Sequence, residues 1–486
     1  MAHLDEKGLY EVSGILKNYI VNQIPNIKTD GDGTKFLNDK GEYKEISSIT
    51  SQNIDLWYGI EWEFEQEDPT CTRIGNLKLH RTLPIQNGLR GCVFKDGAVN
   101  YYLDPNDWSK KEDGTPSVLD GTDGVVRVDT GCTFYGKSET LGTTYRVMVS
   151  TTKIDDTWIE IPRLLIDAYK CTIDTTNPDL PKAVSVVNTT PEFRGGGNRP
   201  EYDKYLNDDP SRSDLGKPRT GISDKDLMRE YARNNNSYVL SYEYYKWIFY
   251  WLPVIEYATF DLQKPRMGGF NSNGYSYGGL GDGVTSLTAD IWGGYNTYHP
   301  LTPCGITNGA GNHSGEMEFG LCNVEDHNSG ELSDITMKAN RYRGFENPFG
   351  DIFTYLDGIV LNTLNPNTAN IYICYNPEDY GKDIFNYYEH KGHLELSRRH
   401  QQYIKEFKLG ESADILSSGN YATSNLYKCD RNISNYTDKT GELALFVGGC
   451  VNSGSYAGPA AQAIANPDCS AAFYGFRTFC YYDDKN

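Results

Sequence analysis

Apolar and polar positions alternate in many short stretches of this chain and follow helical spacing in only a few. Residues 5–22 carry apolar side chains at helical spacing, which predicts an N-terminal helix. Residues 223–250 predict two further helices, the first capped by Ser223 and the second beginning near Ser241 with a stripe of tyrosine and tryptophan. We expect this aromatic stripe to pack against a sheet.

Most of the remaining pattern predicts strands. In residues 57–64, apolar Ile60, Trp62 and Phe64 alternate with glutamates, which is typical of a strand with one buried face. The Asp96-Gly97 pair separates two apolar runs and predicts a β-hairpin. Residues 131–190 continue as strands, 191–222 and 261–340 predict loops and insertions, and 371–410 predict a strand followed by a helical piece. The chain is therefore expected to be an α+β protein.

Composition narrows the possible partners. The chain has 486 residues and a net charge of −20, so its field repels phosphate backbones and we expect no nucleic-acid partner. The 37 tyrosines suit either a ligand-binding surface or a loop-rich β protein. The 11 cysteines lack CxxC spacing, which excludes a zinc ribbon. The chain opens without a secretory signal pattern, and its long apolar stretch at 238–260 is interrupted by charged residues, so we expect no membrane insertion.

We expect the rest of the fold to be organised around residues 341–361, RYRGFENPFGDIFTYLDGIVL. Pro348 favours a turn at Asn347, and the β-branched and aromatic residues that follow favour a buried strand. Asp351 and Asp357 lie within this apolar run, so each needs hydrogen-bond partners if it is buried. Arg341 or Arg343 could act as such a bidentate donor.

This run resembles the Arg-Gly-x-Glu-Asn and Asp-Gly pattern of C-type-lectin-like domains, in the version shared by formylglycine-generating enzymes and phage receptor-binding proteins. Further on, residues 445–449 and 475–477 resemble the closing Gly-Gly and Gly-Phe-Arg signature of that family. The resemblance implies a C-type-lectin-like mixed sheet with two flanking helices and long loop insertions, preceded by a small β-rich region and an N-terminal helix. It also implies structural roles for Arg343, Gly344, Glu346, Asn347, Gly350, Asp351, Asp357, Gly358, Gly448, Gly449, Gly475, Phe476 and Arg477.

A second block, residues 73–129, resembles the segment that precedes the lectin-like domain in tail and fibre proteins of tailed phages of gut bacteria, including the crAss-like group. This arrangement is less typical of the enzymes and therefore favours a virion protein. The predicted organisation is an N-terminal attachment region at 1–70, a β-rich lead-in or collar at 71–130, and a C-type-lectin-like domain with insertions at 131–486.

The resemblance implies a tail or head fibre that is assembled in the host cytoplasm, joins other virion proteins through its N-terminal region and forms a homotrimer. Its loops would bind a host-surface glycan or protein, with many copies offsetting weak single-site affinity. A decoration or tail component without a receptor is an open alternative. The candidate ligand surface lies in 411–475 beside the 261–330 insertions, with Tyr421, Tyr427, Asn432, Tyr436, Asn452, Ser455 and Tyr456 as candidate contacts.

Two enzymatic alternatives are weaker. Formylglycine generation, by resemblance, needs a close cysteine pair for copper after the closing glycines, but Cys450 has no partner before Cys469. A glycan-cleaving fibre would need paired carboxylates that the sequence does not single out. His390 and His393 could share a metal, but no nearby cysteine completes the set. We therefore expect a protein that is not an enzyme and has no cofactor or metal.

Overall fold

A computed structural model describes residues 55–66, 68–188, 190, 225–265, 269–283, 304–325, 332–365, 368–395, 402–417, 421–422, 431–434, 441–450, 453–465 and 474–483, together with the strands at 35–37 and 43–45. The chain divides into two compact units, Met1–Leu56 and Trp57–Asn486. The predicted helix at 5–22 lies outside the described residues.

Strands dominate the described part of the chain. In chain order they are β1 Lys35–Leu37, β2 Tyr43–Glu45, β3 Trp57–Glu63, β4 Thr72–Gly75, β5 Arg90–Lys95, β6 Ala98–Asp104, β7 Asp107–Lys111, β8 Val125–Asp129, β9 Phe134–Leu141, β10 Thr144–Ser150, β11 Ile159–Ile161, β12 Leu164–Asp167, β13 Thr172–Asp174, β14 Lys182–Val184, β15 Tyr238–Val239, β16 Gly315–Glu325, β17 Leu332–Tyr342, β18 Phe345–Glu346, β19 Phe353–Asn365, β20 Thr368–Ile373, β21 Glu389–Glu395, β22 Gln402–Ile404, β23 Tyr421–Ala422, β24 Arg431–Ser434, β25 Gly441–Gly448, β26 Gly458–Ala465, β27 Tyr474–Gly475 and β28 Thr478–Tyr481.

The helices are few and short. They are α1 Leu79–Thr82, α2 Lys225–Arg233, α3 Tyr242–Tyr245, α4 Leu252–Tyr257 and α5 Ile384–Tyr387, with a π-helical turn at Lys246–Trp251 and 3-10 turns at Gln86–Gly88, Asn308–Ala310, Pro377–Asp379 and Gly454–Tyr456. The π-helical turn joins α3 to α4, so residues 242–257 form one continuous helical segment. Together with the sheets described next, these elements make the protein α+β.

The sheets are mostly antiparallel. In the smaller unit, β1 pairs with β2. In the larger unit, one sheet has the order β11-β9-β10-β3-β4, a second β15-β28-β12-β8-β5-β6-β7, and a third β21-β20-β19-β25-β26-β24-β22-β23 with β27 added beside β19. The described sheets also include the two-stranded sheet β13-β14 and the three-stranded sheet β16-β17-β18. Among the described strands, only β19–β27 and β24–β26 pair in parallel.

Two of these sheets cross the predicted region boundaries. Strand β3, from the predicted attachment region, pairs with β10. Strand β8, from the predicted lead-in, pairs with β12, which in turn pairs with β28 near the C-terminus. Hydrogen bonds therefore tie residues on both sides of positions 70/71 and 130/131 into shared sheets, and all of these strands belong to the unit Trp57–Asn486.

The aromatic helical segment forms the centre of the hydrophobic core, as its stripe predicts. The Ser241 side chain accepts a hydrogen bond from the Tyr244 amide and begins the segment, while Ala258, with φ of 53°, ends it. Trp247, Trp251 and their neighbours are fully buried. The predicted cap Ser223 lies outside the described residues, although a helix, α2, does follow it. Glu256 and Tyr257 are the last two residues of α4.

The prediction for residues 371–410 was only partly right, because β20 and the short helix α5 are present but His390 and His393 lie on a strand. Instead of a helical piece, residues 389–395 form β21, which pairs with β20 around a register shift. Gly392, with φ of 102°, allows that irregularity and brings the rings of His390 and His393 to 5.4 Å. Both side chains are exposed, and no group of three potential metal ligands occurs among the described residues.

His80 makes stability depend on pH. Burial lowers the pKa of His80 to about 4, and its ring packs edge-on against Tyr58. The unfolded chain takes up a proton near the ordinary value of 6.5, whereas the folded chain does not until about pH 4. Stability therefore falls as pH drops through this window, and between pH 7 and 5 this group alone should cost about 2 kcal/mol.

Urea unfolding at several pH values measures this effect. We expect His80→Gln to remove the acid-side loss relative to the wild-type chain, because glutamine does not titrate. The matched variant His390→Gln, at an exposed position, should keep the wild-type slope. Equal slopes for all three proteins would show that His80 does not drive the change.

Candidate functional site

The motif residues singled out by the resemblance are buried and hold distant segments together. The Glu346 carboxylate accepts hydrogen bonds from the Gly305 and Thr307 amides, both at 2.9 Å, and from the Thr307 hydroxyl at 2.7 Å. Arg341 donates to the same hydroxyl at 2.7 Å and to the Gly311 carbonyl at 2.8 Å. The loop at 304–311 is thus fixed by side chains of the central run.

The glycines of this motif occupy conformations or spaces that a larger residue would not tolerate. Gly350 has φ of 87°, and a Cβ atom there would lie 2.3 Å from the Ile352 carbonyl oxygen. Gly448, with φ of 99°, would place its Cβ 2.7 Å from the Phe349 carbonyl oxygen. The closing Gly-Gly therefore packs directly against the central run.

The two buried aspartates of the run do not pair with Arg341 or Arg343 as expected. Asp357 forms a bidentate pair with Arg229 of α2, with both N–O distances at 2.7 Å. Asp351 lies 3.5 Å from the Lys170 ammonium. Sequence reasoning missed both cations because they lie far from the motif in the chain.

Arg343 instead pairs with Glu256, the last acidic residue of α4. Its guanidinium donates to both carboxylate oxygens, at 2.7 and 2.8 Å, and to the Asn87 side chain at 2.7 Å. Glu256 is buried, and the ion pair forms the floor of a pocket. The pairing neutralises the carboxylate, so the floor presents a polar surface without net charge.

This pocket, hereafter the Phe270 pocket, has a volume of about 280 Å³. Its lining combines an exposed aromatic ring, a cation and several hydrogen-bonding groups, contributed by Arg81, Leu83, Asn87, Glu256, Phe270, Ser276, Asn312, His313, Ser314 and Arg343. Phe270 is 62% exposed, and Arg81 is exposed with no carboxylate partner among the described residues. The volume is close to the lower end of small-molecule sites.

Four of the seven predicted ligand contacts lie around strand β22. Tyr421 of β23 is in register with Ile404, and Asn432 of β24 with Gln402. From the turn at Gly454–Tyr456, the Ser455 hydroxyl lies 2.8 Å from the Tyr403 hydroxyl, and the ring of Tyr456 stacks on Tyr403 at 5.0 Å. Tyr427, Tyr436 and Asn452 lie outside the described residues.

Sequence reasoning did not identify the Phe270 pocket. Its walls come from α1, the turn after it, α4, the insertion around 270–276 and the loop at 312–314, so no local motif spans it. Only two signals could have pointed to it, namely the predicted position of the 261–330 insertions beside a ligand surface and the Arg343 motif residue.

Cys450, the candidate copper ligand, is buried, and its sulfur lies 3.5 Å from the Ser453 hydroxyl. Cys469 lies outside the described residues. Within the described residues, no helix is long and apolar enough to cross a membrane. Comparison with protein-family models, with curated proteins and with solved structures finds no match to this chain.

Proposed function

We propose that this chain is a virion protein of a tailed phage that binds a ligand on the host surface through a C-type-lectin-like framework. The observation that carries the proposal is the Phe270 pocket, whose floor and one wall are fixed by residues of the central run. Arg343 forms the floor with Glu256, while Glu346 and Arg341 hold the loop that leads to the 312–314 wall. Such a rigid support lowers the entropy cost of binding.

The chemistry of this pocket favours a glycan. The exposed ring of Phe270 offers a flat apolar face on which a sugar ring can stack. Arg81, Asn312 and His313 add polar side chains around it. Asn312 Oδ1 already accepts from the Gly91 amide and from Trp108, and a His313 ring nitrogen contacts Asn106. The Asn312 amide nitrogen and the exposed Arg81 guanidinium are therefore better placed for hydroxyl groups. The volume of about 280 Å³ suits a single sugar unit of a longer chain.

The surface around β22 is proposed as a second contact region. Ser455 is exposed, and Tyr456 is half-buried against Tyr403, so an aromatic and a hydroxyl group lie together at the surface. Tyrosine and serine give contact area and hydrogen bonds at low entropy cost. Together with Tyr421, Tyr427, Asn432, Tyr436 and Asn452, these residues keep the role that the sequence predicts for them.

Binding of the labelled full chain to host cells tests the pocket. We expect Phe270→Ala to weaken binding about tenfold, because it removes the stacking surface and about 1.4 kcal/mol of contact energy. The control Phe385→Ala removes another exposed phenylalanine, at 69% exposure on α5, and should bind as the wild-type chain does. Equal binding by both variants would exclude the pocket, and weaker binding by Tyr456→Ala alone would favour the β22 surface.

The remaining parts of the proposal concern assembly. The N-terminal region would attach the chain to other virion proteins, and three copies would place three heads side by side, so that avidity offsets weak single-site affinity. Light scattering should give the mass of a trimer, and antibody labelling of intact particles in the electron microscope should locate the chain on the head or tail. A monomer in solution would contradict the trimer, and absence of label from particles would contradict the virion role.

A further inference from the structure

Three ionisable side chains, Glu243, Lys246 and Asp414, form a largely buried cluster outside the Phe270 pocket. The Lys246 ammonium lies 2.8 Å from a carboxylate oxygen of Glu243 and 3.0 Å from Oδ1 of Asp414. The exposed fractions of the three side chains are 0%, 9% and 15%. Burying these charges carries a large desolvation cost, which aliphatic side chains in the same place would avoid.

The cluster is built from unusual local structure on both sides. Lys246 begins the π-helical turn, a rare geometry that is frequent at functional sites. Asp414 follows Ala413, which has φ of 57°, a region that alanine seldom adopts. The Ala413 carbonyl accepts from Trp251 at 2.7 Å and its amide donates to Ser138 at 3.0 Å, so this conformation is held from two directions.

Tyr242 also donates a hydrogen bond to Asp414. The Tyr242 hydroxyl donates to Oδ1 of Asp414 at 3.1 Å and itself accepts from the Ile415 amide at 3.0 Å. Tyr242 is fully buried, as are the neighbouring Trp247 and Trp251. Lys246 is fully buried, and Glu243 and Asp414 are the carboxylates that contact it among the described residues.

We propose that Lys246 and Asp414 form an intramolecular isopeptide bond, with Glu243 as the proton carrier and Tyr242 as the donor that polarises the Asp414 carbonyl. This proposal does not depend on the proposed function. It assigns to the cluster a nucleophile, an electrophile, an acid–base group and a carbonyl-polarising donor, the four parts that amide formation requires.

Proton transfer within the cluster has to precede attack by nitrogen. Burial raises the pKa of Glu243, which favours its protonated form. Burial lowers the pKa of Lys246, but the facing Asp414 and Glu243 carboxylates raise it and the net direction is upward, so the resting lysine is an ammonium. Transfer of one proton from the Lys246 ammonium to Asp414 then gives a neutral amine beside a neutral acid. Holding the two groups together supplies a high effective concentration, which makes the otherwise slow condensation feasible.

The step balances without any further reactant. The Lys246 nitrogen attacks Cγ of Asp414, and a new N–C bond forms while Tyr242 donates to Oδ1. The protonated Glu243 donates its proton to the other aspartate oxygen, while the second oxygen of its carboxyl group takes up the proton that the nitrogen loses. The C–O bond breaks and that oxygen leaves as water, so an ammonium and a carboxylate become one amide and one water molecule.

Mass spectrometry of the folded full chain tests the proposal directly. After denaturation, the intact mass should be lower than the sequence mass by one water, and protease digestion should give a branched peptide joining residues 246 and 414. The branched peptide separates this bond from dehydration within an aspartate alone. Glu243→Gln and Lys246→Arg should restore the full mass, whereas Asp414→Asn should lose ammonia instead of water.

A wild-type chain that folds, as judged by its circular dichroism, and yet has the full sequence mass and two linear peptides would overturn the proposal. This outcome needs no variant, so a variant that fails to fold does not weaken the test. Ammonia loss from Asp414→Asn with the branched peptide present would support the assignment of Lys246 as the nucleophile.

Discussion

Arg477→Ala is expected to lower the free energy of unfolding by about 4 kcal/mol, because it removes three hydrogen bonds between a buried guanidinium and backbone carbonyls. The Arg477 guanidinium donates to the carbonyls of Asp167, at 3.0 Å, and Ala168, at 2.7 Å, and also to the carbonyl of Glu346. Arg477 is fully buried, and these three bonds all go to backbone carbonyls.

Urea unfolding followed by tryptophan fluorescence measures this loss. The control Arg233→Ala removes an arginine that is 41% exposed and paired with Glu378, which is 56% exposed, so it should cost less than about 1 kcal/mol. An unchanged unfolding midpoint for Arg477→Ala would contradict the role of this side chain in joining β12 to the central run.

Asp357→Asn is expected to cost about 3 kcal/mol, because it removes the buried charge that faces Arg229. The side chains of Asp357 and Arg229 are 2% and 11% exposed. The same arginine also pairs with Asp226 at 2.7 Å, but that carboxylate is 69% exposed. Arg229 therefore pairs with one buried aspartate and one exposed aspartate, which allows the two pairs to be compared.

Asp226→Asn is the matched control for this experiment, with an expected cost below about 1 kcal/mol. Thermal melting of the two variants at neutral pH and moderate salt should separate them clearly. Similar melting temperatures would show that burial does not strengthen the Arg229–Asp357 pair, and would remove the argument that α2 is held to β19 through it.

The fold was predictable where the deciding interactions are local. The cap at Ser241 and the aromatic stripe after it lie within one helical segment, and the structure has that helix. Gly344, Gly350 and Gly358 of the central run have positive φ, a conformation that depends on local turn geometry. The α+β class followed from the mixture of short alternating stretches and rare helical ones.

Partners that lie far apart in the chain could not be predicted. Arg229 is separated from Asp357 by 128 residues, and Glu256 from Arg343 by 87. The sequence contains several arginines that could pair with a buried aspartate, and only the folded structure shows which one does. The Phe270 pocket is lined by five separated segments, so the sequence did not reveal it for the same reason. The strand at 389–395 was missed because its register shift disturbs the alternation.

Competition for adsorption tests the central claim most directly. Phage particles that carry this chain are mixed with host cells in the presence of an excess of the purified full chain, and the unadsorbed particles are counted. We predict that the wild-type chain blocks adsorption, that Phe385→Ala blocks it equally, and that Phe270→Ala does not. Undiminished adsorption in saturating wild-type chain would contradict the claim that this protein recognises the host surface.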